Sequence, residues 1–580
     1  MTRFSVRFAV SSASLAAALA AAPMVRAADA DATPEATQAA PVVITAERRT
    51  INLQTAPVAA SVISGAKLQD IGVNGLDDLQ FHTPSLTVAD FGQGNLFNIR
   101  GVGKDLTNVQ TPSGVVTYWD GIASYPGFFA DAPYFDIANV EVLRGPQGTF
   151  AGQNATGGAV FITTNDPHLG SLGGAVEAQY GSYNDGRVRG FINVPIGDTL
   201  AVRLAFNGER RDSFYHVSGP WTTPFGGTPG RQLLGSLRLG VLWQPNDAVR
   251  ILFKADGEYL DHGGFLADTT LDPADSTRLN PEDLFHISSF INDYATNKGY
   301  RLTLNASYTF GNGVVLRSIS GWESGGGNAN IDLPEVFPGA SFEDYGREHI
   351  GSEELNIVSP DMGPLRWVGG LYYQHDYVTL LPGGGAPGFD IGLPAGSLDL
   401  ELNYRTPKVT EAVFGQVTYD ITPALQIQAG ARYTDESFHL LDDGPTVVGG
   451  TLVIPGIVYT ARTHNSGVTG KVSLNWKVDE NNFLYAFVAT GRKAAGINTT
   501  PAAGVDPNSA PLPFAPETVT DFEAGWKPTL FDGHVRGQFG GYYSLYSKFQ
   551  LSFGTPNAPT QSFIRNLAGT TTLYGLEAEV

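Results

Sequence analysis

Ile99-Arg-Gly101 and Val140-Glu-Val-Leu-Arg-Gly-Pro-Gln-Gly-Thr-Phe-Ala-Gly-Gln-Asn-Ala-Thr-Gly-Gly158 are the stretches of this sequence that decide its fold. The longer stretch begins as a strand and then places glycines at 145, 148, 152, 157 and 158. Glycine has no Cβ, so its backbone adopts positive φ and approaches neighbouring chain closely. The pattern predicts a compact domain with tight turns that packs closely against a surrounding wall of the same protein.

The composition bounds the class of protein. The 580 residues exceed one ordinary domain, and 70 Gly, 33 Phe and 23 Tyr indicate many turns, strands and aromatic surfaces. The absence of cysteine excludes thiol chemistry and disulfide stabilisation. A formal net charge of −21 argues against a nucleic-acid partner, which requires clustered Lys and Arg.

Residues 1–27 have the pattern of a secretory signal peptide. Arg3 and Arg7 precede an apolar run from Phe8 to Pro23, and a small-residue cleavage site ends at Ala27. The alternative is a membrane anchor, but this run is shorter than the ~20 apolar residues that a spanning helix needs. The pattern therefore predicts an exported protein.

Residues 28–49 are predicted to form a leader. Residues 28–40 contain no large apolar side chain, which is typical of a disordered segment. The leader ends in Pro41-Val-Val-Ile-Thr-Ala-Glu-Arg-Arg49, and this β-branched run suits pairing with the sheet edge of another protein. The alternative is that the run forms the first strand of the next domain.

Two folded regions follow the leader. Residues 50–167 alternate short β-rich and helical segments, which predicts an α+β domain. From residue 170 to 580 apolar and polar residues alternate, as in Val472-Ser-Leu-Asn-Trp-Lys-Val478, over about sixteen segments whose connections alternate short with long. This pattern predicts a transmembrane β-barrel; the alternative is a soluble β-sandwich, which rarely sustains such long strands.

Three groups of motifs carry a specific signature: Glu141-Val-Leu-Arg-Gly-Pro-Gln-Gly148 with Asn154-Ala-Thr-Gly-Gly158, Pro516-Glu-Thr-Val-Thr-Asp-Phe-Glu-Ala-Gly-Trp-Lys527, and Tyr574-Gly-Leu-Glu-Ala-Glu579. Together they resemble the motifs of TonB-dependent outer-membrane receptors. The resemblance implies that residues 50–167 form a plug domain inside a transmembrane β-barrel in the outer membrane of a Gram-negative bacterium. Family barrels have 22 strands. About sixteen are present here, so we expect a C-terminally incomplete chain, lacking about 150 residues, with an open wall.

The resemblance also assigns roles to particular residues. The run at 41–49 resembles the TonB box, which implies that TonB, driven by the inner-membrane ExbB-ExbD motor, binds Val42, Val43, Ile44, Thr45 and Ala46. Plug arginines pair with barrel glutamates in relatives, which implies a lock formed by Arg100, Arg144, Glu523 and Glu577. The alternative for both arginines is that they bind carbonyl groups of the plug.

Ligand contacts in this family come from the plug apices and the inner barrel. The residues implied here are Tyr125, Phe128, Phe129, Asn95 and Asp105, because an exposed aromatic group at a plug tip suits binding. The alternative for the aromatic residues is packing under an external loop.

The function that follows is TonB-dependent import of a scarce ligand across the outer membrane. Ferric siderophores are the commonest cargo of the family; cobalamin, oligosaccharides and aromatic compounds remain alternatives. A passive porin is a further alternative, but it does not account for a plug-sized domain. We find no catalytic motif and no metal-ligand spacing, so we expect no enzymatic activity, no cofactor and no bound metal.

Overall fold

The structure is a computed structural model of the chain. It describes residues 42–45, 47–90, 95–103, 112–124, 133–218, 230–263, 271–272, 275–279, 285–288, 294–332, 341–380, 389–392, 399–401, 404–442, 446–449, 452–454, 459–498, 513–555 and 558–580. The predicted signal peptide therefore lies outside the described residues.

The end of the leader, residues 42–49, and the plug, residues 50–167, together contain ten strands, one α-helix and two 3-10 helices in the described part of the chain. The helix α1 spans Gly65–Asp70, and the 3-10 helices span Leu53–Thr55 and Asp77–Phe81. The strands are β1 Val43–Ile44, β2 Ile51–Asn52, β3 Ala60–Ser64, β4 Leu86–Asp90, β5 Asn95–Ile99, β6 Val102–Gly103, β7 Val115–Trp119, β8 Ile122–Ser124, β9 Ile137–Arg144 and β10 Gly158–Thr164.

One five-stranded sheet forms the centre of the plug. Its order is β3-β9-β10-β7-β8, in which β10 and β7 are parallel and the other neighbours are antiparallel. Apolar residues on one face, including Trp119 and Val140, pack with Leu68 and Leu79 in one core cluster. A second cluster covers the other face and includes Ile44. Because both faces are covered, the strands contain almost continuous buried runs instead of alternating ones.

The remaining strands form the wall and its connections. They are β11 Gly173–Gly181, β12 Asp185–Ile196, β13 Leu200–Arg211, β14 His216–Ser218, β15 Gln232–Asn246, β16 Val249–Asp261, β17 Leu271–Asp272, β18 Asp275–Leu279, β19 His286–Ser288, β20 Tyr294–Thr309, β21 Val315–Asp332, β22 Ser341–Val358, β23 Leu365–Leu380, β24 Phe389–Gly392, β25 Asp399–Glu401, β26 Tyr404–Asp420, β27 Leu425–Asp442, β28 Thr446–Gly449, β29 Leu452–Ile454, β30 Tyr459–Lys477, β31 Asn482–Lys493, β32 Gly496–Ile497, β33 Pro513–Phe514, β34 Glu517–Leu530, β35 Val535–Arg536, β36 Gln538–Ser547, β37 Gln550–Thr555, β38 Ala558–Asn566 and β39 Thr570–Glu579. A 3-10 helix, Ser182–Asn184, joins β11 to β12.

The wall is one antiparallel sheet that runs from β11 to β39. Among the described residues, sixteen of its strands are nine residues or longer, which agrees with the number predicted from the alternating pattern. No pairing joins β11 to β39 in the described part of the chain.

Alternation along each strand gives the wall two different faces. In β15, Leu237 and Trp243 are half exposed on the outer face, whereas Ser236 and Arg238 are buried on the inner face. An apolar outer face and a polar inner face are typical of transmembrane barrels. Among the described residues, no helix is long and apolar enough to cross a membrane.

The plug lies against the inner face of the wall. Inward-facing side chains from distant strands bind it, including Arg203 of β13, Lys254 of β16, Glu354 of β22 and Glu577 of β39. The wall therefore surrounds the plug on several sides.

Candidate functional site: the interface between plug and wall

Arg100 of the plug binds two glutamates of the wall. Its Nε and Nη2 donate to the two oxygens of Glu577 at 2.9 and 2.8 Å, and Nη2 also donates to Glu523 at 2.9 Å. The guanidinium lies 3.9 Å from the centre of the Tyr542 ring. Burial alone would lower the pKa of Arg100, but its contacts with Glu577 and Glu523 raise that pKa above the ordinary value. Arg100 therefore remains a cation inside the molecule.

Arg144 binds the same part of the wall. Its Nε lies 3.3 Å from Glu577, and its Nη2 lies 3.2 Å from Glu579 on the same face of β39. Ser61 of the plug joins the pair, since its hydroxyl donates to Glu579 at 2.7 Å and accepts from Arg144 Nη1 at 3.0 Å. The Arg144 side chain is fully buried.

We call these five residues, Arg100, Arg144, Glu523, Glu577 and Glu579, the first charge cluster. The four predicted lock residues lie together in it. Sequence reasoning missed Glu579, although Glu577 and Glu579 are two apart and a strand places such residues on one face. Breaking a buried ion pair costs ~3–5 kcal/mol, because the remaining charge stays buried without a partner.

Two glycines of the stretch 140–158 permit close contact between the plug and the wall. Gly145 has φ of +76°, and a Cβ there would lie 2.7 Å from the Arg100 guanidinium. A Cβ at Gly148 would lie 2.4 Å from the carbonyl oxygen of Thr490 in the wall. Because any larger residue would collide, glycine at these positions lets the plug reach the wall.

Beside the first strands of the wall the charges are reversed: the plug supplies carboxylates and the wall supplies cations. Arg203 donates to both oxygens of Asp136 in the plug, at 2.7 and 2.5 Å. Lys254 Nζ lies 3.0 Å from Asp120 and 2.8 Å from Asp166, and Arg250 lies 2.6 Å from Asp166. We call these six residues, Asp120, Asp136, Asp166, Arg203, Arg250 and Lys254, the second charge cluster.

Asp120 is ionised in this cluster. Burial alone would raise the pKa of Asp120, but Lys254, Arg238 and hydrogen bonds from the backbone and side chain of Thr164 lower it below the ordinary value. The carboxylate therefore keeps its charge at neutral pH and accepts bonds from wall and plug together.

A third set of contacts uses backbone carbonyl groups of the plug. Lys527 Nζ donates to the carbonyl oxygens of Leu53, Ala56 and Val58, each at 2.8 Å. Lys471 Nζ donates to the Pro57 carbonyl at 2.6 Å. These two lysines hold the segment that joins the leader to the central sheet.

The run predicted as the TonB box lies on the plug. Val43 and Ile44 form β1, which pairs with β2, and the Ile44 side chain is completely buried. The Thr45 backbone N–H lies 3.0 Å from each oxygen of Glu141, and its hydroxyl donates to Glu141 at 2.8 Å. This placement matches the alternative of a first plug strand; Ala46 lies outside the described residues.

The predicted ligand-binding residues are not brought together in the described part of the structure. Tyr125, Phe128, Phe129 and Asp105 lie outside the described residues. Asn95 begins β5, and its side chain is not described. Among the described residues, no group of three or more His, Asp and Glu side chains could hold a metal ion.

Comparison with known families identifies both regions. Residues 243–580 match the family model described as "TonB dependent receptor-like, beta-barrel", and residues 52–159 match the "TonB-dependent Receptor Plug Domain". The chain belongs to the TonB-dependent receptor family. This membership confirms the predicted plug-and-barrel fold and the predicted outer-membrane location of this TonB-dependent receptor. It is at odds with the two alternatives, a soluble β-sandwich and a passive porin.

Individual relatives are distant but extend over most of the chain. A pesticin receptor of Yersinia pestis is 25% identical over 553 residues, which cover 93% of this chain and 74% of the relative. The crystal structure of the ferric yersiniabactin uptake receptor from Yersinia pestis has a TM-score of 0.74 at 21% identity, covering 90% of this chain and 76% of that one. The ferric-catecholate import receptor from Escherichia coli K12 has a TM-score of 0.69 at 16% identity, covering 91% and 78%.

Proposed function

We propose that this TonB-dependent receptor imports a ferric siderophore across the outer membrane. The observation that carries the proposal is a folded plug held by buried ion pairs inside a transmembrane wall. Because the plug blocks the pore, opening the pore requires work that breaks these ion pairs. The names of the relatives support the cargo, since a ferric yersiniabactin receptor and a ferric-catecholate receptor share the fold.

The proposed cycle begins at the plug apices. The ligand contacts Tyr125, Phe128, Phe129, Asn95 and Asp105 and fixes the apices in a bound conformation. The TonB box, Val42, Val43, Ile44, Thr45 and Ala46, then pairs with the sheet edge of TonB, and the ExbB-ExbD motor supplies the force. No bond of the ligand is made or broken.

The docked position of the box sets a condition on this cycle. Ile44 is buried and Thr45 is bound to Glu141, so β1 must leave the plug before its backbone can pair with TonB. The pairing of β1 with β2 involves only two residues on each strand. Such a short element opens locally at a small fraction of the free energy of global unfolding.

We assign Arg100, Arg144, Glu523 and Glu577 the role of a lock between plug and wall. Four buried charges with paired hydrogen bonds hold one side of the plug, and each bond is lost if the plug shifts by a few ångströms. The lock would therefore resist leakage and yield when force is applied.

A single position in the box tests the energy coupling. Ile44→Pro removes a backbone N–H and blocks strand pairing, whereas Ile44→Val keeps the β-branched side chain and serves as the matched control. In receptor-deficient cells complemented with the full-length receptor, we expect Ile44→Pro to abolish uptake of an iron-labelled siderophore without reducing its binding at the cell surface. Normal uptake by Ile44→Pro would reject TonB dependence.

The cargo and its site need a separate test. Growth on a panel of ferric siderophores as sole iron source identifies the cargo. Phe128→Ala with Phe129→Ala should then lower the affinity for that siderophore at least tenfold while barrel assembly, judged by heat-modifiable migration, stays normal. Unchanged affinity would remove these residues from the site, and growth on none of the panel would reject siderophore uptake.

A further inference from the structure

A cavity of about 180 Å³ lies between the plug and strands β16, β20 and β21 of the wall. Its described lining residues include none that the proposed function assigns to the ligand. Four cationic side chains line it: Arg48 of the leader, and Arg250, Lys254 and Arg317 of the wall.

Three of these cations are bound to carboxylates. Arg48 forms a two-bond pair with Glu354 at 2.6 and 2.7 Å. As described above, Lys254 binds Asp120 and Asp166, and Arg250 binds Asp166. Three carboxylates therefore serve these three cations.

Arg317 is the fourth cation, and it has no such partner. Within the described ranges, no carboxylate lies within 4.0 Å of its guanidinium, and its hydrogen bond there is a long one, 3.5 Å from Nη1 to the carbonyl oxygen of Arg48. Arg48, Arg250 and Arg49 repel this half-buried guanidinium, whereas Glu354 attracts it from beyond ion-pair distance. An anion bound directly to the guanidinium would add to that attraction.

The neighbouring side chains fit an oxyanion better than a chloride ion. The guanidinium presents parallel N–H groups that match the two oxygens of a carboxylate or phosphate. Asp120 and Asp166 also line the cavity, and Lys254 is paired with both of these carboxylates. Thr303 and Asn305 line it as well and add a hydroxyl and an amide as uncharged donors.

We propose that this cavity is a binding site for one small oxyanion, a carboxylate or a phosphate group, held by Arg317. Thr45 of the TonB box and Arg48, which follows the box in the leader, also line the cavity, so the bound anion lies beside the box itself. Occupancy of the site therefore stabilises the docked leader.

Calorimetric titration of the purified full-length chain with inorganic phosphate tests the site, with sodium chloride at equal ionic strength as the reference. We expect saturable phosphate binding, and a decrease in affinity of at least tenfold in Arg317→Gln. Arg366→Gln is the matched control, because Arg366 is also a wall arginine but pairs with Asp420 and does not line this cavity. Arg317→Lys keeps the charge without the planar fork, so it should give an intermediate affinity.

Two results would overturn the proposal. The first is wild-type protein that shows no saturable phosphate binding beyond that of chloride. The second is equal binding by wild type and by a folded Arg317→Gln; if Arg317→Gln fails to fold, equal binding by wild type and Arg317→Lys overturns it instead. The titration needs neither siderophore nor TonB, so its failure is distinct from failure of the proposed function.

The oxyanion could come from solution or from an acidic group of the cargo, and this last step rests on the proposed function. Uptake by Arg317→Gln separates the two sources. Reduced uptake of a carboxylate-bearing ferric siderophore, with normal uptake of a neutral one, supports the site and assigns the anion to the cargo. Normal uptake of both, together with lost phosphate binding, supports the site and assigns it to a free anion.

Discussion

The two charge clusters lie at the two ends of plug strand β9 and have opposite polarity, since Asp136 precedes the strand and Arg144 ends it. In the first charge cluster the plug supplies the cations and the wall supplies the carboxylates. In the second charge cluster the plug supplies aspartates and the wall supplies Arg203, Arg250 and Lys254. If the two ends of β9 exchanged their wall partners, like charges would meet at both ends. The polarity therefore selects one orientation of the plug, in addition to fixing it in place.

Reversing one charge of the second charge cluster should have the largest effect. Arg203→Asp places a carboxylate against Asp136 in a buried site, so we expect the free energy of plug opening to fall by at least about 5 kcal/mol. Hydrogen exchange of peptides from β9 and β10 in the full-length protein measures this quantity. The swap Arg203→Asp with Asp136→Arg should recover most of the protection, and a swap no better than the single variant would contradict the pairing.

Neutralising one arginine of the first charge cluster should have the next largest effect. Arg100→Gln leaves Glu523 and Glu577 buried near each other without the guanidinium between them, and we expect a loss of about 3 to 5 kcal/mol. Hydrogen exchange of β5 and β10 measures the loss. Arg100→Lys keeps the charge and should retain part of the protection. Equal losses for Gln and Lys would show that the geometry of the guanidinium, and not its charge, stabilises the contact.

The pH dependence of stability distinguishes the clusters further. Because the folded pKa of Asp120 lies below the ordinary aspartate value of 3.8, its stabilising contribution is present above that value and is lost as pH falls through the folded pKa. Asp120→Asn should cost about 1 to 3 kcal/mol at neutral pH and flatten the decrease of melting temperature below pH 4. Calorimetry across pH 2 to 7 measures both. Asp198→Asn, in an exposed turn, should keep the wild-type profile.

The smallest effect is expected for a wall ion pair outside both clusters. Arg189 donates to both oxygens of Glu177 at 3.0 and 2.9 Å, but the Glu177 side chain is 40% exposed. Arg189→Gln should therefore change the free energy of unfolding by less than about 1 kcal/mol. A larger loss of unfolding free energy in chemical denaturation would show that exposure to water does not weaken this pair relative to those in the buried clusters.

Four of the five residues of the first charge cluster were predictable from the sequence, because they lie in motifs that resemble those of the family. The Arg-Gly pairs at 100 and 144 and the glutamates at 523 and 577 are visible in the sequence, and the alternation of the wall places all inward residues on one face. The strand number followed from the same alternation. Each of these depends on local pattern, which a sequence shows directly.

The second charge cluster and the lysine contacts were not predictable in this way. Arg203, Lys254 and Lys527 are inward-facing charges in alternating strands, and this pattern fits a solvated barrel interior equally well. Their partners depend on how the plug is oriented inside the wall. Lys527 binds carbonyl groups, which every residue has, so nothing in the sequence marks its partners. The box run satisfies the requirements of a plug strand and of a TonB-binding strand, so its docked position also needed coordinates.

The bond between Thr45 and Glu141 has a mechanical consequence. Glu141 lies within β9, between β3 and β10, and is completely buried. Tension applied to the chain at Val42 therefore acts on the pairing of β1 with β2 and, through the Glu141 carboxylate, directly on β9, an inner strand of the central sheet. The leader is thus hydrogen-bonded directly to a buried strand of the plug, the domain that it would have to unfold.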